Sequence, residues 1–156
     1  MIRSSPSLRD KLIVTANAEV AIRSFREADR PQLERLWCAV FPDDPPRNAP
    51  ERMIDGAIGV RPESLLVAEL DGAVVGVVIA GWDGVRGWIY HLAVAAAYRR
   101  RGIATRLVRA AETTLRALGC SKINLQVRAS NQAVVAFYRS LGYQVEERLS
   151  MGRALV

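Results

Sequence analysis

The chain has 156 residues, of which 50% are hydrophobic and 24% are charged, and it carries a formal net charge of +6. This length and composition indicate one globular domain with a single core and exclude a chain that is disordered over most of its length. The longest apolar runs, such as residues 65–68 and 73–80, are far shorter than the roughly 20 residues that a membrane-spanning helix needs.

Residues 1–19 mix charged and polar side chains with apolar ones. Arg3, Asp10 and Lys11 interrupt the apolar residues, so the segment lacks the continuous hydrophobic stretch of a secretory signal. The sequence therefore predicts a loose N-terminal leader over residues 1–19 of a cytoplasmic protein, followed by a single domain over residues 20–156.

The first elements of the domain are a strand and two helices. Residues 21–25 alternate like a short strand, and the helix that follows begins with Asp29 as N-cap and ends before Pro42. The segment from Pro42 to Pro50 is too rich in proline and aspartate for a regular element. A second, shorter helix is predicted over residues 51–58.

The middle of the chain is predicted to form three strands. Residues 65–70 and 74–80 are joined by Asp71-Gly72, a dipeptide that supplies the positive φ angles of a type I′ hairpin turn. A further turn leads into a strand over residues 88–94, which is rich in aromatic and β-branched side chains.

A helix and two more strands complete the central part of the fold. Residues 103–118 repeat apolar side chains with helical period, and Gly119 provides a left-handed end. Residues 123–127 alternate as a strand, so the helix between this strand and the one before it predicts a crossover with two parallel strands. The chain ends in a last strand or broken strand pair over residues 143–155.

The final helix precedes that last strand. Asn131 can cap it and Gly142 ends it, with Tyr138 in its apolar stripe. No repeat, low-complexity tract or linker interrupts the chain. The order β-α-α-β-β-β-α-β-α-β therefore predicts one α/β domain, of mixed α+β type, around a mixed sheet.

The charge is unevenly distributed. Residues 1–80 carry a net charge of −2 and residues 81–156 carry +8, and five arginines fall within positions 99–109. A solvated basic surface, a nucleic-acid patch and an anion site are all compatible with this cluster.

The arginine cluster opens the central helix, which favours an anion site. The first amide groups of a helix have no internal partner and lie at the positive end of its dipole, so they can bind a phosphate. Gly102 permits close approach and Ala104 is small. Neither a P-loop pattern nor a dinucleotide pattern of glycines is present, which argues against an NTPase or an NAD enzyme.

Two sequence motifs point to a family. Leu92-Ala93-Val94 followed by Arg99-x-x-Gly102-x-Ala104 resembles a pyrophosphate-binding motif, [QR]-x-x-G-x-[GA], and residues 131–143 resemble a second motif with asparagine, tyrosine and glycine at fixed spacing. Together they resemble the GNAT superfamily of acyl-CoA-dependent N-acetyltransferases over about residues 20–155. The resemblance implies the GNAT fold, with one splayed pair of parallel strands.

The resemblance also implies acetyl-CoA as co-substrate and assigns residues to it. The pantetheine arm would pair with the main chain of residues 92–94, backbone amides of residues 100–105 would hold the pyrophosphate, and Asn131 would contact the arm. The implied coenzyme-binding residues are Leu92, Ala93, Val94, Arg99, Arg100, Arg101, Gly102, Ile103, Ala104, Thr105 and Asn131.

Amine acetylation needs a neutral amine, a stabilised oxyanion and a proton for the departing thiolate. The resemblance places Tyr138 near the coenzyme sulfur as the general acid, and a phenol with a pKa of about 10 remains a proton donor at neutral pH. Spacing alone predicts that Tyr138 is an aromatic core residue on the apolar face of its helix.

The sequence offers several candidates for the general base. The strand before the last helix resembles that of the bacterial ribosomal-protein alanine N-acetyltransferases, which carry a glutamate where this chain has Gln126. His91 and Glu69 are alternatives, as are a water chain and an amine that is already neutral. Strand alternation predicts that His91 lies on the opposite face from Tyr90 and Leu92.

The acceptor would be a small molecule or a peptide, bound by the region that corresponds to residues 41–58. Four acids could attract a cationic amine, and Trp82 could form a wall of the pocket. The acids are Asp43, Asp44, Glu51 and Asp55. A homodimer is possible, and no nucleic-acid or membrane partner is expected.

Metal binding and disulfides are not expected. Cys38, Cys120 and the single histidine lack the spacing of metal ligands. Two other functions are alternatives: an acyl-CoA-binding regulatory protein that has lost catalysis, which Gln126 permits, and a basic nucleic-acid-binding module. The second is disfavoured because only Tyr98 adjoins the arginines.

Overall fold

The computed structural model describes residues 19–155, so the predicted leader over residues 1–19 lies almost wholly outside the described residues. The strands are β1 (Ala21–Ser24), β2 (Leu65–Leu70), β3 (Ala73–Trp82), β4 (Gly87–Val94) and β5 (Ile123–Asn124). The helices are α1 (Arg30–Val40), α2 (Pro50–Val60), α3 (Ile103–Ala117) and α4 (Gln132–Ser140). Across residues 19–155, no helix has the length and apolar character needed to cross a bilayer.

The chain divides into two compact units, the first ending at Leu125 and the second beginning at Gln126. All five strands belong to the first unit and form one sheet in the order β1-β2-β3-β4-β5. Every neighbouring pair is antiparallel except β4 and β5, which are parallel and are connected through α3. The mixed α/β class with one parallel strand pair is confirmed.

The hairpin between β2 and β3 forms as predicted. Leu70 pairs with Ala73 across the two-residue turn. Asp71 has a φ of 49° and Gly72 a φ of 78°, the positive values that a type I′ turn requires.

Asp29 takes the predicted N-cap position of α1, but its side chain does not cap the helix. Its carboxylate accepts no bond from the first turn of α1. Instead it accepts the Arg26 backbone N–H at 2.8 Å and two N–H groups of the Arg23 guanidinium at 2.7 and 2.8 Å. A 3₁₀ turn precedes α1, so the buried carboxylate fastens that turn to β1 rather than capping the helix.

Helices cover both faces of the sheet. On one face, Leu33, Leu36 and Trp37 of α1 and Ile54 of α2 pack in a buried cluster with inward side chains of β2 and β3. On the other face lies α3, whose Leu107 approaches Gly76 so closely that a Cβ there would be 2.9 Å from its Cδ1. Glycine in β3 thus allows α3 to pack tightly against the sheet.

The prediction of a last strand is wrong. In residues 143–155 the structure contains no strand, and β5 is two residues long instead of five. The apolar side chains of this segment remain exposed: Leu149 and Met151 are each 93% exposed. Alternation gives a segment strand preference, but a strand forms only where a neighbour accepts its hydrogen bonds, and no described strand pairs with this segment.

Candidate functional site

Strand β4 contains a bulge in its middle. Ile79 pairs with Tyr90 and Val77 pairs with Ala93, so both His91 and Leu92 lie opposite Val78. His91, within this bulge, adopts a φ of 46°, in the left-handed region that histidine tolerates better than most side chains.

The bulge corrects the prediction for His91. Because one extra residue is inserted, Tyr90 and His91 share a face instead of alternating. Tyr90 lies opposite Ile79, a member of the core cluster under α1 and α2. The His91 ring contacts Trp37 and Phe41 at the end of α1, on the same face.

The His91 imidazole is held by a carboxylate and two aromatic rings. Its Nε2 lies 2.9 Å from Oδ2 of Asp44, and the two side chains are 16% and 18% exposed. The rings of Trp37 and Phe41 meet the imidazole edge-on, with centroids at 5.5 and 5.1 Å. The Trp37 indole N–H donates to the carbonyl oxygen of His91 at 3.0 Å, which fixes the bulged backbone as well.

The parallel strand pair separates before β4 ends. Only Gly87 and Trp88 pair with β5, whereas β4 continues to Val94. Beyond Trp88, β4 therefore has no paired strand on that side among the described residues. An amide-containing chain could lie along residues 92–94 and complete their hydrogen bonding as an added strand does.

The start of α3 forms an anion-binding geometry. Arg100 and Gly102 have positive φ values of 61° and 75°, and the first helical bond runs from Arg106 N–H to the Gly102 carbonyl. The amides of residues 103–105 thus precede the intrahelical ladder and are available to a phosphate. Gly102 has open space around it, so its φ rather than crowding requires glycine.

The arginines of this loop differ in how they are held. Arg99 Nε donates to the Val94 carbonyl at 3.1 Å, which ties the loop to the end of β4. The Arg101 guanidinium lies 5.4 Å from the centre of the Tyr98 ring. Both side chains are exposed, as is that of Arg100, so the helix start lies in a strongly positive surface.

In the second unit, Tyr138 lies in α4 and is 7% exposed. The rings of Phe137 and Tyr143 meet it edge-on at 5.1 and 5.4 Å. Burial raises the pKa of Tyr138 to about 12, so the phenol stays protonated throughout the neutral range. Asn131 caps α4 as predicted, accepting the Val134 N–H at 3.3 Å.

Several candidates for the base and the acceptor region have internal partners. Arg23 Nε donates to Glu69 at 2.6 Å, and Gln126 Nε2 donates to Ser150 Oγ at 2.6 Å. Asp55 accepts from Arg30 at 2.9 Å. Asp43 and Glu51 are exposed.

Trp82 lies away from the predicted acceptor wall. It pairs with Gly87, where a Cβ would be 2.9 Å from Leu115 of α3, so Trp82 belongs to the α3 face of the sheet. The aromatic side chains on the opposite face are Trp88 and Tyr90, which stack with centroids 6.2 Å apart.

Two features of this region were not predicted from the sequence. Asp44 and His91 are 47 residues apart in the chain, and nothing in the sequence distinguishes Asp44 from its neighbour Asp43. The aromatic stack depends on Gly81, where a Cβ would be 2.7 Å from the Tyr90 ring. Within residues 19–155, no three His, Cys, Asp or Glu side chains group as metal ligands would.

Comparison with known sequences gives a family match. The profile of the acetyltransferase (GNAT) family matches residues 18–143. An acetyltransferase from Yersinia enterocolitica is 39% identical over 137 residues, which covers 86% of this chain and 95% of that protein. An acetyltransferase from Sodalis glossinidius is 41% identical over 138 residues, with coverage of 86% and 95%.

Solved structures share the fold. Ard1 from Thermoplasma volcanium is 23% identical, with a TM-score of 0.71 over 81% of this chain and 84% of that one. The aminoglycoside N-acetyltransferase AAC(6′)-Iy, solved in complex with CoA, is 18% identical, with a TM-score of 0.74 over 92% of this chain and 100% of that one. At these identities the likeness concerns the fold.

Proposed function

The chain belongs to the GNAT family of acetyltransferases, and from that premise we propose that it transfers the acetyl group of acetyl-CoA to a primary amine, on a small molecule or a protein N-terminus. Family membership makes it an acyl-CoA-dependent N-acetyltransferase with acetyl-CoA as co-substrate. The acceptor, the mechanism and the site residues belong to the proposal.

The early separation of β4 from β5 is the observation that carries the proposal. Pairing ends at Trp88, and β4 runs on to Val94 with main-chain groups that can receive the pantetheine arm. The amides of residues 103–105 and the exposed arginines around them suit the pyrophosphate at the other end of that arm. The chain thus offers suitable partners for both the amide-bearing and the charged parts of acetyl-CoA.

The proposed reaction is direct attack of the amine on the thioester. The amine lone pair forms the C–N bond, and main-chain N–H groups of residues 92–94 stabilise the oxyanion that develops on the carbonyl. The C–S bond then breaks, and Tyr138 gives its proton to the departing thiolate. Because a phenol with a pKa of about 12 is a weaker acid than a thiol, full transfer to a free thiolate is unfavourable, so the phenol acts by sharing its proton with the sulfur while the C–S bond breaks.

Asn131 has a structural role that coexists with the proposed contact to the coenzyme arm. Its side-chain oxygen is used by the α4 cap, which leaves its side-chain amide group as the donor for a ligand. The domain boundary at residue 20, the cytoplasmic location and a homodimeric state stay predictions.

A thiol-release assay over a panel of amines tests the transfer. We expect release of CoA that depends on both acetyl-CoA and an amine, with calorimetry showing saturable coenzyme binding at micromolar concentrations. Binding without release for every class of amine would favour a non-catalytic acyl-CoA-binding protein. Absence of saturable binding would contradict both functions.

A further inference from the structure

The acetyl-transfer reaction requires a proton acceptor for the amine, and the structure narrows the choice of residue. The Glu69 carboxylate is paired with the Arg23 guanidinium, which also pairs with Asp29, so Glu69 is already engaged within the protein. Gln126 cannot hold a proton, and its amide donates to Ser150. Of the side chains considered from the sequence, His91 is the one that remains, and it lies one residue before the stretch 92–94.

We propose that His91 is the general base that deprotonates the acceptor amine, and that Asp44 is the positioning residue that orients its imidazole. This inference rests on the proposed function, because it assigns a role within the same transfer. The Asp44 carboxylate would then orient the His91 imidazole at the edge of β4. Together these groups would form the side of the site that the acceptor amine approaches.

The hydrogen bond to Asp44 selects the tautomer of the ring. The Asp44 carboxylate accepts a hydrogen bond from Nε2–H, and the other ring nitrogen, Nδ1, then carries the lone pair that takes a proton from the amine. This is the logic by which a buried carboxylate orients a catalytic histidine in other enzymes. Asp44 also stabilises the imidazolium that forms.

The neighbouring groups fix the ring without competing for its proton. α1 presents the uncharged rings of Trp37 and Phe41, and the adjacent residue of β4 on this face is Tyr90. The imidazole pairs with the carboxylate of Asp44, from the segment that follows α1. The His91 side chain is 16% exposed, so the imidazole is not fully sealed from solvent.

The bulge in β4 determines the position of the His91 imidazole. Without the extra residue in β4, strand alternation would turn His91 away from the face of α1 and from Asp44. Trp37 holds the bulged carbonyl from the same side. The bulge and the contact with Asp44 thus act together to place the His91 imidazole beside β4.

The proton and electron balance of the step is simple. The ammonium form of the acceptor gives one proton to Nδ1, and the neutral amine uses its lone pair to form the C–N bond. The C–S bond breaks with its electron pair on sulfur, and the thiolate is protonated by the general acid. The nitrogen loses its second proton to water as the amide forms, and the Tyr138 phenolate regains a proton from water. The imidazolium returns its proton to water, so the reaction releases one proton in total.

The variant that tests the base is His91→Asn. Asparagine tolerates positive φ, so the substitution removes the imidazole while it preserves the bulge. We expect kcat to fall by about 10²-fold or more, with Kd for acetyl-CoA within about 3-fold of the wild-type value. The decrease of log kcat on the acidic side, measured with saturating amine, should disappear, and added imidazole should restore part of the rate.

The variant Asp44→Asn tests positioning and remains informative if His91→Asn does not fold. It keeps the ring but replaces the carboxylate with an amide that can also donate to Nε2, so the orientation and tautomer of the imidazole are no longer fixed and kcat should fall at every pH of the profile. We expect kcat to fall by about 10-fold with KM for the amine changed less. Glu63→Gln, which removes an exposed carboxylate paired with Arg61, is the matched control and should leave the profile unchanged.

Two results would overturn the assignment. If wild-type enzyme transfers acetyl groups and His91→Asn retains the same acidic limb with kcat within about 3-fold, His91 is not the base. An Asp44→Asn profile that coincides with that of the wild type would remove the positioning role. Failure of the wild type to acetylate any amine would instead contradict the proposed function, and this inference with it.

Discussion

Two residues carry the proposed proton transfers, and Tyr138 is the simpler one to test. Tyr138→Phe removes the hydroxyl and keeps the ring that packs against Phe137 and Tyr143. We expect kcat to fall by about 10²-fold, in the range of general-acid contributions, while Kd for acetyl-CoA is nearly unchanged. Steady-state kinetics and calorimetry measure the two quantities.

The matched control for that variant is Tyr143→Phe. It removes the hydroxyl of the ring that meets Tyr138 edge-on at 5.4 Å. Its turnover should stay close to that of the wild type. If Tyr138→Phe turns over as fast as this control, Tyr138 is a core aromatic, as its spacing alone suggests, and not the general acid.

Residue-level prediction from sequence succeeded where a local rule applied. Asn131 caps α4 and Asp71-Gly72 forms its turn, because both effects depend on a few adjacent residues. It failed for His91, whose face depends on a bulge in the pairing of β3 with β4. It also could not find Asp44 as the partner of His91, because that contact requires the folded chain.

At the scale of elements, the start of α3 has the clearest requirement. Gly102→Ala places a Cβ on a residue with a φ of 75°, which costs roughly 1–2 kcal/mol in the left-handed region. If the loop relaxes to avoid this cost, the amides of residues 103–105 move. We expect Kd for acetyl-CoA to rise about 5-fold or more, measured by calorimetry, together with a lower Tm.

Gly59→Ala controls for the effect of adding a methyl group. Gly59 lies inside α2, and no heavy atom lies within 4 Å of the position that a Cβ would occupy there. Alanine should stabilise this helix by up to about 1 kcal/mol and leave coenzyme affinity unchanged. An unchanged Kd for Gly102→Ala as well would remove the helix start from the coenzyme site.

The elements with strong local signals were predictable. The helical period of residues 103–118 and the hairpin signal around Asp71-Gly72 match α3 and the β2–β3 hairpin closely. The strand predicted over residues 143–155 was not found, although its apolar residues alternate. Local preference does not supply the hydrogen-bonding neighbour that a strand needs, and that information is not local in sequence.

For the whole molecule, acid stability should depend on Asp29. The Arg23 hydrogen bond holds the pKa of this buried carboxyl below its ordinary value, so the folded state favours the charged form. A depressed pKa stabilises the fold above the ordinary aspartate pKa of about 3.9, and this contribution is lost as the pH falls below it. The free energy of unfolding should therefore fall in that range.

Asp29→Asn tests this dependence. It leaves the partly buried Arg23 without its bidentate partner, and we expect about 1–3 kcal/mol of destabilisation at pH 7 after allowance for the 20% exposure of the Arg23 side chain. Denaturant unfolding at pH 7 and pH 3.5 measures it. The difference between variant and wild type should shrink at the lower pH; an equal difference at both values would contradict the charge-based explanation.

Charge at the molecular scale was informative only in combination with the fold. The net charge of +8 in residues 81–156 is equally compatible with nucleic acid and with a phosphate-bearing coenzyme. Its densest part coincides with the start of α3 and with an exposed positive surface beside β4. The acceptor side could not be predicted in the same way, because two of its four acids, Asp44 and Asp55, are engaged within the protein.

The proposed mechanism depends above all on direct transfer from acetyl-CoA to an amine, without an acyl-enzyme intermediate. Initial rates of thiol release, measured over a matrix of acetyl-CoA and amine concentrations, test it most directly. Direct transfer predicts double-reciprocal lines that intersect, because both substrates must be bound before reaction. Parallel lines would contradict it and would indicate a ping-pong reaction through an acylated side chain, for which the exposed thiol of Cys38 would be the first residue to examine.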